Sequence, residues 1–158
     1  MRSMLSSIFL LTVFGSTTLY GQSDIDNLKA AHRLLWQAVE SANVDLLVQR
    51  VHPNALGFFK ASQMPIEFSA SKSVREMAPS LMVDLSPFVT VAHEVKYSVL
   101  GDTGVICATL ARTPTAAADK DKKKQGPQYN RATYVYSRSG DSWLLVSWHT
   151  SETPLVRK

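Results

Sequence analysis

The chain has 158 residues, 45% of them apolar and 19% charged, with a formal net charge of +4. That length suits one domain around a single core, and that balance excludes a disordered chain. Much of the positive charge sits in one run, DKDKKK at 119–124. It reads as a solvated loop tip, so the broad cationic face that nucleic acid requires is missing.

In chain order, Arg2 is followed by MLSSIFLLTVFGSTTLYG, whose apolar centre spans 5–14 and gives way to small residues and a glycine. A basic start, an apolar stretch and a small-residue end form the layout of a secretory signal. The expected cut lies at Gly21–Gln22, leaving a secreted or periplasmic domain over 22–158. Loss of 1–21 removes one charge, Arg2, so +4 becomes +3. The apolar stretch is shorter than the roughly 20 residues of a membrane span, so no span is expected after cleavage; an uncleaved anchor is the alternative.

From 24 to 41, Ile25, Leu28, Ala31, Leu35 and Val39 recur at spacings of three and four, which predicts an amphipathic helix capped by Ser23 or Asp24. His32 and Trp36 share a face beside that stripe. Asn43 is placed to cap a second short helix, VDLLVQRV, which His52-Pro53 should end. NALGFFKA reads as a strand with Gly57 marking a bend. Ser69 or Ser71 should open a third helix, KSVREMAPSLMV, interrupted at Pro79.

After Pro87 the pattern turns to strands. In FVTVAHEVKYSVLGD, strict alternation puts Val89, Val91, His93, Val95, Tyr97 and Val99 on one face. VICATLART follows a glycine turn; its Cys107, the one cysteine of the chain, cannot form an internal disulfide and should pack as a small hydrophobe. A polar connection, PTAAADKDKKKQGPQ, leads to YNRATYVYSRSGDSWLLVSWHTSE, two strands joined at Gly140 and Asp141. The predicted architecture is α+β, a strongly curved antiparallel sheet wrapped around the N-terminal helices as a cone-like barrel, with a pocket at its open end.

Alternation sorts the final strand into two faces. Trp143, Leu145, Ser147, His149 and Ser151 should line the pocket, while Leu144, Val146, Trp148 and Thr150 pack elsewhere. Candidate ligand-binding residues are therefore Arg131, His149, Trp143, Trp36 and His32. His149 is the candidate general base, a strand-end His bonded to backbone or water being the alternative. Arg131 suits a carboxylate or phosphate, unless its stem lies along the solvent face. The four histidines show no metal-ligand spacing, and no metal or other cofactor is expected.

The chain also resembles a family. The first helix with Trp36, the turn ESANVDLL, the strand GDTGVICATL and above all RATYVYSRSGDSWLLVSWHTS, with its Arg-x-Thr strand, Gly-x-x-Trp turn and closing His-x-Ser, are similar to the nuclear-transport-factor-2-like (NTF2-like) superfamily. The SnoaL-like and kinase-association-type domains are the branch it looks like. The resemblance implies a cone-like fold over the whole mature chain, and a scaffold that hosts isomerases, cyclases, dehydratases and adaptors. It departs from the steroid-isomerase pattern in lacking a mid-strand Asp. The expected function is an exported domain binding a small apolar or acidic ligand. It is expected to form a homodimer through the outer sheet face, with Trp148 and Tyr134 or Tyr136 in the contact. The alternatives are an isomerase or hydro-lyase using His149, and an interaction module without ligand.

Overall fold

In the computed structural model, residues 17–58, 66–68, 73–85, 88–114 and 127–153 are described, with side chains described from residue 21 and not over 80–88. Residues 1–16 of the expected leader, the 119–124 charge run and the caps expected at Ser69 and Ser71 lie outside them.

Helix α1 spans Thr17–Glu40 and starts earlier than Ser23 or Asp24 would dictate. The middle of its expected stripe, Leu28, Ala31 and Leu35, is buried, with Ile25 and Val39 half-buried at its ends and Ala38 buried beside it. It ends in a Schellman motif, with Asn43 N–H on the Ala38 carbonyl at 2.8 Å and Ala42 N–H on the Val39 carbonyl at 3.2 Å. Ala42 takes the left-handed position at φ 51°. Asn43 then caps α2 (Val44–Arg50), its Oδ1 accepting from Leu46 N–H at 2.9 Å. The helix stops at Arg50, and Pro53 falls inside the strand that follows, β1 (Val51–Phe58). Helix α3 (Val74–Leu85) runs through Pro79 rather than breaking there. Its start is a capping box. Ser73 Oγ accepts from Glu76 N–H at 3.3 Å, and Glu76 Oε2 accepts from Ser73 N–H at 3.0 Å.

The sheet has six strands in the order β2-β1-β6-β5-β4-β3. Four long ones form the expected antiparallel meander: β3 (Phe88–Leu100), β4 (Thr103–Pro114), β5 (Gln128–Ser139) and β6 (Ser142–Glu152). A two-residue β2 (Ile66–Glu67) pairs with β1. The sheet is mixed, because β1 runs parallel to β6. No hairpin joins these two; α3 and the meander intervene, so no turn dictates their direction. The sheet is curved and unclosed, and α1 lies against its concave side.

Two β-bulges change which residues face α1. On β3, His93 pairs with Thr109 but Lys96 with Cys107, one extra residue taken up around Glu94 at φ 49°. On β6, Ser147 pairs with Val135 but Leu145 with Tyr136, the extra residue being Val146. Each bulge reverses the alternation beyond it. Val95, Tyr97 and Val99 face the core as expected, whereas Val89 and Val91 are 57% and 50% exposed. Trp143 and Leu145 are buried, and then so is Trp148, leaving His149 exposed. Cys107 is also exposed, correcting the packed position expected of it, because its neighbours Ile106 and Ala108 take the inner face.

Two glycines allow close approach. A Cβ on Gly57 would sit 2.3 Å from the Trp148 ring, and one on Gly104 would sit 2.7 Å from Leu28 Cδ1. Gly57 is therefore where Trp148 lies over β1, and Gly104 is where α1 meets β4. Arg138 ties α1 to the turn between β3 and β4. Its Nη2 is 2.8 Å from Asp24 and its Nε 3.4 Å from Asp102, and its guanidinium lies 4.6 Å over the Trp143 ring.

Candidate functional site

The concave side of the sheet and the helices border a half-open chamber of about 100 Å³. Leu35, Trp36 and Val39 of α1, Leu47 of α2, Val51 and Phe68 supply apolar walls, with Leu110, Tyr134, Leu145 and Trp148 from the sheet. Its polar members form a row across four adjacent strands. Thr90 on β3 pairs directly with Arg112 on β4; Asn130 on β5 lies beside Leu110, and Thr150 on β6 pairs with Ala132. Arg112 is 6% exposed and Asn130 likewise, so a guanidinium is held inside an otherwise apolar space. Burial pushes the Tyr134 hydroxyl well above its ordinary range, and the Arg112 charge opposes that rise.

A second chamber of about 200 Å³ lies alongside, lined by His32, Trp36 and Glu40 of α1 and by Ala92, Val95, Tyr97 and Ala108 of the sheet. Trp36, Thr90 and Leu110 border both chambers.

His32 is the centre of a short hydrogen-bonded chain. Trp36 Nε1–H donates to its Nε2 at 3.1 Å, and its Nδ1 lies 2.7 Å from Tyr136 Oη. An indole only donates, so Nε2 must carry the lone pair; in the neutral ring the proton is then on Nδ1 and donates to Tyr136. Burial lowers the His32 pKa to about 4, so the neutral ring is the form present at neutral pH. Both ring nitrogens are engaged. Tyr136 is fully buried, and its burial raises its own pKa.

Of the residues expected at the site, Trp36 and His32 line the chambers. Trp143 is buried under Arg138 and borders neither. Arg131 and His149 are exposed on the convex face: Thr133 pairs with His149 and Arg131 with Ser151, and the His149 ring meets Phe58 edge-on at 6.0 Å. They share a face but not a chamber. The Trp143–His149 wall expected from strict alternation is thus split by the Val146 bulge, and Trp148 and Thr150 take the inner positions. The outer-face contact expected of Trp148, Tyr134 and Tyr136 is corrected for the same reason and by the parity of β5, since all three are buried. Among the described residues, Leu56, Phe58, Val89, Val91, Leu100 and Tyr129 are the large apolar groups exposed instead.

Arg112 and Asn130 are not among the residues that the sequence singles out. The signal for Arg112 was present, because Ile106, Ala108 and Leu110 alternate on the buried face and the next step is Arg112. Among the described residues, no cluster of three or more His, Cys, Asp or Glu could hold a metal, and no helix is long and apolar enough to cross a membrane.

A cone of curved sheet over a long helix, with a chamber between them, is the NTF2-like arrangement. The SnoaL-like domain family matches residues 28–155, and the chain belongs to that family. No curated protein matches it. Among solved structures it is similar to an NTF2-like family protein of Streptomyces avermitilis, provisionally designated a dehydratase, with a TM-score of 0.68, 19% identity, and 84% of this chain and 98% of that one covered. An NTF2-like protein of unknown function from Pseudomonas putida KT2440 gives 0.64 and 17%, covering 82% and 87%. The CaMKII hub of S. rosetta gives 0.64 and 21%, covering 82% and 96%.

Proposed function

We propose that the chain is an exported binding protein whose first chamber takes a small, mainly apolar molecule bearing an acidic group. The observation that carries this reading is Arg112, a buried guanidinium at the polar row of an apolar chamber. The planar fork of Arg suits a carboxylate in two-pronged fashion. Asn130, Thr90 and Thr150 add neutral hydrogen-bonding groups along the same row. The chamber favours holding a ligand over moving its protons: among the described residues no Asp or Glu lines it, His32 has both nitrogens engaged, and His149 is on the other face. Native mass spectrometry of protein purified from its own host tests the reading. A co-purifying organic acid, absent from an Arg112→Met variant, is the expected result; a neutral or cationic ligand would refute it.

Export and self-association belong to the same proposal. The leader supports export, tested by N-terminal sequencing of protein recovered outside the cytoplasm, where a chain beginning at Gln22 is expected. The S. rosetta relative is a hub and another neighbour, from Thiobacillus denitrificans, is described as an association domain; exposed Leu56 and Phe58 on the convex face support a dimer there. Light scattering on Phe58→Glu should then read a lower mass than on the unaltered chain.

A further inference from the structure

Two chambers share one wall. Thr90 and Leu110 belong to the sheet floor that continues under both, while Trp36 is the contribution of α1. A helix side chain that borders two spaces over a continuous floor is a partition between them. Its position is held from several sides. The indole N–H donates to His32 Nε2 at 3.1 Å, and the ring stands edge-on to His32 and to Tyr134, both at 6.3 Å between centroids. His32 is anchored in turn by Tyr136 at 2.7 Å, and Tyr136 has no exposed surface. The indole cannot swing aside without giving up its acceptor within a part-buried site.

We infer that Trp36, positioned by His32, sets the length of the acid that the protein accepts. This rests on the acid-binding reading above and adds its specificity determinant. At about 100 Å³ the first chamber is smaller than the roughly 150 Å³ engineered cavity that admits benzene. An acid held at Arg112 fills it with a few carbons, and Trp36 stops a longer chain from entering the second chamber. Thr90 and Leu110 offer such a chain a continuous floor once the indole is gone.

Calorimetric titration of the purified protein with straight-chain carboxylates, from acetate to decanoate, tests this. Each buried methylene should tighten binding about fourfold. In the unaltered protein the gain should stop after the first few carbons. In Trp36→Ala it should continue, leaving octanoate bound at least tenfold tighter than by the unaltered protein; Trp36→Leu, with its better-filled helix face, serves if the Ala variant folds poorly. His32→Phe keeps a ring but offers no acceptor. Its break should move to longer chains, and the Trp36 indole proton should lose its protection from solvent exchange in NMR spectra. The same break in the unaltered protein and both Trp36 variants would overturn the partition and leave the Arg112 anchor standing. The anchor is read separately: Arg112→Met should weaken all chain lengths alike. If no acid binds, or if Arg112→Met binds them equally well, the acid reading falls and the length selection with it.

Discussion

Trp36 donates its indole N–H to Nε2 of His32, four residues earlier on the same helix, and that one bond decides which nitrogen of a part-buried imidazole carries the proton. The helical spacing that brings the two rings together was visible in the sequence; the third member, Tyr136, lies 104 positions from His32.

That bond has a pH signature. Burial lowers the His32 pKa from 6.5 to about 4, so between those values the unfolded chain binds more protons than the folded one. The stability contributed by neutral His32 is complete above about 6.5 and is lost as pH falls toward 4, a difference of up to about 3 kcal/mol. Urea unfolding of the unaltered chain should weaken across that window, and His32→Gln should show a flatter profile. Parallel profiles would refute the assignment.

Ala42 occupies a left-handed position at the end of α1 with φ 51°. A Cβ there costs about 1–2 kcal/mol, partly offset by the chain entropy that glycine loses on folding. Ala42→Gly should raise unfolding stability by about 1 kcal/mol, read as a shifted denaturant midpoint with unchanged slope.

Gly57 faces the opposite constraint. An added Cβ would lie 2.3 Å from the Trp148 ring and 2.6 Å from the Trp148 carbonyl. Backbone cannot yield as a side-chain tip can, so Gly57→Ala should lower stability by about 1–3 kcal/mol. Because Trp148 lines the first chamber, the same substitution should weaken ligand binding. Thermal melts and titration of one sample check both.

Arg112→Met keeps a similar volume but removes a buried charge together with its contacts inside the protein, so stability should fall by about 1–3 kcal/mol. Acid affinity should fall by about 10- to 100-fold, the loss of a charge-assisted hydrogen bond. Arg131→Ala and His149→Ala, on the convex face, should leave both quantities unchanged. A loss of affinity from either would move the site to the other side of the sheet.

The order of elements apart from the short β2, the centre of the α1 stripe, the Asn43 cap and the four-strand meander were legible, because each rests on local spacing or a local cap. Helix α3 shows how far a local rule reaches. A Pro in the sequence reads as a break, yet the helix continues through Pro79. The parallel pairing of β1 with β6 was not legible, since direction between strands far apart in the chain is set by the path between them. The candidate site was half legible. His32 and Trp36 follow from helical periodicity, which nothing interrupts. His149 and Trp148 exchanged places because one extra residue, Val146, carries no mark in the sequence: it is a strand-forming valine among strand-forming neighbours. Glu94 hides the β3 bulge equally well, being a charged residue where alternation already expects one.

The two bulges make the concave surface a mosaic of strand segments in opposite phase. The extra residue on β6 is what lets Leu145 and Trp148, three apart in the chain, face the same chamber. Deleting Val146 would give β6 an unbroken ladder, Leu145 on Tyr136, Ser147 on Val135 and Trp148 on Tyr134, and alternation would still turn Trp148 and Thr150 inward. A single lost codon would thus straighten the strand while keeping the apolar wall and every other strand in register.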